Sequence, residues 1–198
     1  MHFVLLAIIA TTTAATFNST ALKLTALNLT SSDGCTTLEN GGNADEGITK
    51  VSLKCAMRGP IAHCGLEFET QKGKFALAYN SKTIPGPTNT EGQVWCQEGG
   101  MPMKDSRANG GCGGCGGWEV AGTSAGRPDT ATGSFKTLKD FMQDVKKFGD
   151  ERHYYNIAAC ETGSHNQANC QLTAAQLYHK LTGKKAHHCS ACDINCFK

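Results

Sequence analysis

Apolar and polar positions alternate most regularly from Val51, where Val51, Leu53, Cys55 and Met57 fall on one side and Ser52, Lys54, Ala56 and Arg58 on the other. That two-residue period is the mark of a half-buried strand. Cys64, Leu66 and Phe68 repeat it with Glu67 and Glu69 opposite, and Phe75, Leu77 and Tyr79 repeat it again after Gln71-Lys72-Gly73. The glycine suits a tight turn, so the three runs predict an antiparallel meander. The period then changes. Phe135, Leu138, Phe141, Met142, Val145 and Phe148 are spaced by three and one, with Lys136, Lys139, Asp140, Asp144 and Lys147 on the other side. This stripe predicts a helix capped by Ser134 and stopped by Gly149. A strand is expected over His153 to Ala159. A second helix is expected from Thr173 through Leu177, Tyr178 and Leu181 to Gly183.

The intervening stretches are rich in turn formers. Residues 30–47 carry Asp-Gly and Asn-Gly-Gly-Asn, and residues 81–134 are Pro, Gly, Thr and Ser broken by Val94-Trp95-Cys96 and Gly117-Trp118-Glu119-Val120. A loop of that length needs pins, and Cys96, Cys112 and Cys115 are placed to supply them. The fold class this pattern predicts is α+β: a small disulfide-rich antiparallel sheet from residues 48–80, 93–96, 117–121 and 153–159, with helices 134–148 and 173–182 packed on one face. The expected organisation is one domain over 35–198. Residues 17–34, with Leu22, Leu24, Leu27 and Leu29, form a flexible segment or a first strand before it.

Residues 1–16 run through Phe3-Val4-Leu5-Leu6-Ala7-Ile8-Ile9-Ala10 to small residues ending in Ala14-Ala15. This is the shape of a secretory signal peptide, too short in its apolar core to span a bilayer. Export to an oxidising compartment turns the eleven cysteines into disulfide candidates: Cys35, Cys55, Cys64, Cys96, Cys112, Cys115, Cys160, Cys170, Cys189, Cys192 and Cys196. An odd count leaves at least one as a thiol or bonded to another chain. Asn18-Ser-Thr and Asn28-Leu-Thr are glycosylation candidates.

Hydrophobic content of 39% and charged content of 18% fit a folded globule rather than a disordered chain. A net charge of +2 is too small to imply a nucleic-acid partner. Charge is uneven, +3 over residues 134–198 against −1 over 1–133, and His153, His165, His179, His187 and His188 lie in the basic part. A solvated face on a monomer is the simpler account of that asymmetry, with a weak contact with anionic surfaces as the alternative.

Candidate chemistry adds little. Cys112-Gly-Gly-Cys115 has redox dithiol spacing but is followed by glycines and Trp118, which favours a structural loop. His187-His188-Cys189-x-x-Cys192-x-x-x-Cys196, with His179 upstream, has zinc-ligand types, which export diverts towards disulfides. No cofactor or metal is expected. Thr123-Ser124-Ala125-Gly126 lacks the glycine pattern of a nucleophile elbow. Arg152-His153-Tyr154-Tyr155-Asn156 resembles the histidine-bearing strand of small secreted fungal guanyl ribonucleases. That resemblance implies Glu161 as base, and no arginine follows Arg152 to complete a phosphate clamp.

A longer likeness covers about a quarter of the chain. Tyr155-Asn156-Ile157-Ala158-Ala159-Cys160, then Asn169-Cys170, a helix ending in Leu181, and Cys189-Ser-Ala-Cys192 follow one another in an order that resembles the killer toxins of smut fungi and related secreted proteins of filamentous fungi. The resemblance implies a disulfide-rich α/β sandwich acting against a neighbouring cell through its channels or surface, with Cys160, Cys170, Cys189 and Cys192 pairing among themselves. The expected function is a secreted cysteine-rich effector or toxin-like protein, fungal in origin, that recognises an unknown target on a host or competitor cell without catalysis. The alternative is a small secreted hydrolase such as a ribonuclease.

Overall fold

A computed structural model describes residues 33–58, 61–83, 90–110, 117–120, 130–159 and 165–186. The signal, both sequons, Glu161 and six of the cysteines (Cys112, Cys115, Cys160, Cys189, Cys192 and Cys196) lie outside them. The protein is α+β. The meander read from the alternation is present as β1 (Lys50–Arg58), β2 (Ile61–Glu69), β3 (Lys74–Ser81) and β4 (Thr90–Glu98), antiparallel throughout, with Val51 opposite Phe68 and Phe68 opposite Phe75. Short strands complete an eight-stranded sheet. β5 (Glu119–Val120) and β6 (Thr130–Thr132) both pair with β1, β7 (Tyr154–Tyr155) pairs with β4, and β8 (Gln167–Ala168) follows β7. Because β7 and β8 run parallel, the sheet is mixed rather than wholly antiparallel.

There are three helices among the described residues, not two: α1 (Asp33–Asn40), α2 (Leu138–Glu151) and α3 (Cys170–Thr182). α1 occupies a stretch that reads as turn chemistry. Eight residues cannot hold a helix alone, but Cys35 and Leu38, one turn apart, are buried in the main core, and Cys35 is bonded to Cys96 of β4. Packing therefore overrides composition. α2 begins at the Thr137 cap, whose hydroxyl accepts from the Asp140 N–H at 3.1 Å, rather than at Ser134. Just upstream, the Phe135 N–H is bonded to the Ile48 carbonyl, which keeps that stretch extended. α2 also runs past Gly149 to Glu151, its cap residue Arg152 donating to the Phe148 carbonyl. Asn169, not Thr173, caps α3. Its side chain accepts from the Leu172 N–H, while Thr173 sits fully buried with its hydroxyl donating to the Asn169 carbonyl. Gly183 ends α3 at φ 70°, as its sequence position predicts.

The inward residues of the meander and of all three helices form one core, with Phe68 edge-on to Phe141 at 5.3 Å and Tyr79 edge-on to Phe148 at 6.3 Å. Tyr79 is wholly buried. Burial raises its phenol well above the usual range, and its hydroxyl donates to the Arg152 carbonyl at 2.7 Å. Gly92 is required opposite it, since a Cβ there would lie 1.9 Å from that hydroxyl oxygen.

Residues 99–110, within the stretch expected to be a long loop, fold over the opposite side of the strands. Met103 and Ala108 join Ala76, Ala78 and Trp95 in a second, smaller core, with the Arg107 guanidinium 4.5 Å above the Trp95 ring. Outward-facing strand residues hold this flap. Glu67 accepts the Met101 N–H at 2.8 Å, Asn80 donates to the Arg107 carbonyl at 2.6 Å, and His63 bonds the Ala108 carbonyl at 2.7 Å. Glu67 itself is buried between Lys54 (2.8 Å) and Lys74 (3.4 Å). Burial opposes its ionisation, but the two ammonium groups and the Met101 N–H outweigh that and hold the carboxyl below its ordinary value.

Candidate functional site

Four of the disulfide candidates pair. Cys35–Cys96 fastens α1 to β4 with Cα atoms 4.8 Å apart, and Cys55–Cys64 joins directly opposed residues of β1 and β2 at 4.1 Å. Cys170 is a buried thiol, and Cys160, Cys189 and Cys192, with which the toxin resemblance groups it, lie outside the described residues.

Its surroundings follow from how the sheet opens. The β2–β3 ladder ends at Gly65 opposite Ala78, so the Ala62 carbonyl and the Cys64 N–H, which point to the same side of β2, have no β3 residue to meet. The first turn of α3 fills that gap. The Gln171 amide donates to the Ala62 carbonyl at 3.1 Å, the Cys170 sulfur lies 3.9 Å from the same oxygen, and the Cys64 N–H is directed at the sulfur. Buried backbone groups are thereby satisfied by side chains instead of a strand. Asn169 fixes the turn. While its carbonyl oxygen caps α3, its amide nitrogen donates to the Ile157 and Ala159 carbonyls, both at 3.0 Å.

His63, one residue from the bridge, is the base beside this thiol. A carbonyl only accepts, so the contact to Ala108 requires a proton on Nε2 and leaves Nδ1 as the acceptor of the neutral ring. Trp118 packs edge-on against the imidazole at 5.6 Å. Gly110, at φ 67°, lets the flap pass; a Cβ there would stand 3.4 Å from Nδ1 and 3.6 Å from the Asn80 amide nitrogen. Burial disfavours the Cys170 thiolate more than any other single influence. The His63 charge and hydrogen bond, with the Cys64 and Gln171 N–H groups, together outweigh it and hold the thiol below its ordinary range. In the protonated form the thiol is directed at the Ala62 oxygen. The thiol and the imidazole thus share a buried position at this edge of the sheet.

Other candidate residues are not gathered here. His153 is half-buried, lies 4.6 Å from the Tyr154 ring and contacts the Asp150 carbonyl through Nδ1 at 3.4 Å. The Arg152 guanidinium donates to the Gln167 carbonyl at 3.0 Å, bracing β8. His165 and His179 lie apart on a turn and on α3, and among the described residues no group of three His, Cys, Asp or Glu is placed to hold a metal. Sequence reasoning passed over His63, which reads as an ordinary outward position of β2. Its adjacency to Cys64 and the odd cysteine count were the available signals. No family model, curated protein or solved structure matches the chain.

Proposed function

We propose that this chain is a secreted, disulfide-locked recognition protein of fungal type, acting as an effector or toxin on the surface of a host or competitor cell. Its helices serve as the backing of the sheet, and its exposed sheet end serves as the contact. The observation that carries this reading is the stapled sheet. One bridge fixes α1 against β4 and the other fixes β1 against β2, which suits a small rigid body in an oxidising fluid. Tyr154 at 41% exposure and Ile157 at 39%, with His153 against Tyr154, offer an aromatic and aliphatic anchor at the β7 end.

Labelled oxidised protein applied to intact plant and yeast cells should be retained on one of them. The Tyr154→Ala/Ile157→Ala variant should lose about ten-fold or more of that retention with an unchanged circular dichroism spectrum. In parallel, the oxidised protein should leave RNA intact. Robust cleavage abolished by His153→Ala would replace the recognition reading with the ribonuclease one, and absence of retention on either cell would also defeat it.

A further inference from the structure

Lysines are compensated on the sheet and left in excess at the end of α3. Lys50 is paired with Glu69, Lys54 and Lys74 with Glu67, Lys72 with Glu46 and Lys82 with Glu91. Residues 165–186, by contrast, hold His165, His179, Lys180, Lys184 and Lys185 and no aspartate or glutamate. The carboxylate that reaches this segment, Asp144 of α2, is shared: it takes Lys180 at 3.2 Å and Lys136 at 2.5 Å. Lys184 and Lys185 form no ion pair among the described residues. Gly183 turns the chain and Ala186 packs back on the main core, which leaves both lysines exposed beside the last turn of α3. Lys136, His179 and Lys180 are exposed as well. Four lysines are thus set against Asp144 and, a turn earlier on α2, Asp140, so positive charge is in excess here.

We propose that the end of α3 is a docking surface for an acidic polysaccharide, one that repeats carboxylate or sulfate groups along its length. A single exposed ion pair contributes little, so a small anion gains almost nothing from these lysines. A polymer engages several ammonium groups at once and releases counterions as it does so, which makes its binding grow with the number of lysines and fall steeply with salt. The same surface suits a membrane less well, because an interfacial contact also buries apolar side chains. Among the described residues the exposed large apolar side chains are Val120, Tyr154 and Ile157, none of them on α3 or the turn that follows it. Ile157 belongs to the other end of α3: its carbonyl is held by the Asn169 cap, and the helix is 13 residues, about 20 Å, long. The lysine surface is therefore separate from the Tyr154 and Ile157 anchors and goes beyond the contact they make.

The test applies the full oxidised chain at neutral pH and low ionic strength to immobilised heparin and polygalacturonate, to neutral dextran, and to vesicles of phosphatidylcholine with phosphatidylserine. Retention is expected on at least one of the two acidic polymers and not on dextran, with release as salt is raised. Lys180→Gln/Lys184→Gln/Lys185→Gln should weaken that retention about ten-fold or more. Lys50→Gln/Lys72→Gln/Lys104→Gln removes the same charge from the sheet and the flap and should change it by no more than about two-fold, with circular dichroism confirming that both variants fold. Tyr154→Ala/Ile157→Ala should leave polymer binding intact, which keeps this result distinct from the cell-retention one. Absence of retention of the natural protein on both acidic polymers would overturn the proposal. Equal losses in the two triple variants would overturn it too, by assigning the attraction to net charge, and binding to the vesicles as strong as to the polymers would replace the polysaccharide with a membrane.

Discussion

Glu67 shows what one outward strand residue does when the sheet is covered on that side. Buried between Lys54 and Lys74 and receiving the Met101 N–H, it holds the flap as a carboxylate. Its folded-state value is depressed, so its contribution is complete above the unfolded value of about 4.3 and disappears as pH falls through the lower folded one. The urea midpoint should therefore fall on acidification below about pH 4. Glu67→Gln should cost about 1–3 kcal/mol at pH 7 and flatten that acid limb, read from denaturation curves at both pH values. Glycine at 92 makes the opposite point, that a missing side chain is also a constraint. Gly92→Ala sets a methyl against the Tyr79 hydroxyl, and a loss of about 1–3 kcal/mol is expected in the same measurement. Neither role is visible in the sequence. Glu67 reads as a solvated position because alternation reports one buried face, and the flap that covers the other is a tertiary event.

Among the elements, those with a strong period were legible and those made by long-range contact were not. The three-stranded meander and the stripe of α2 lie where the alternation and the three-and-one spacing put them. α1 was hidden because Asp-Gly-Cys-Thr-Thr has turn chemistry, and only the bridge to Cys96 and the burial of Leu38 make it helical. The start of α3 was misplaced because Thr173 is an acceptable cap in isolation, whereas Asn169 satisfies α3 and two distant carbonyls at once. That double duty is separable. Asn169→Asp keeps the capping oxygen but turns an acceptor towards the Ile157 and Ala159 carbonyls, so it should destabilise nearly as much as Asn169→Ala, about 2–4 kcal/mol. A cap-only role would leave the aspartate close to the natural protein in thermal unfolding followed by circular dichroism. Of the candidate site, the sequence disclosed that a cysteine had to be left over but not which one. The edge of β2 that receives Cys170 exists only because β3 turns away after Ala78.

For the molecule as a whole, the two staples are unequal. Cys35–Cys96 closes 61 residues and Cys55–Cys64 only 9. In the chain-entropy account these restrict the unfolded ensemble by about 4 and about 2.5 kcal/mol respectively. Cys35→Ala/Cys96→Ala should consequently lower the urea midpoint more than Cys55→Ala/Cys64→Ala, with α1 melting along with it; equal losses would place the stabilisation in local contacts instead. The sheet's terminal strands have a different consequence. Among the described residues β5, β7 and β8 are each two residues long and β6 three, so these flanking strands offer little open backbone of their own. Short flanking strands of this kind make a poor template for a strand of another copy, one way in which a sheet protein keeps long, apolar inner strands out of fibrils.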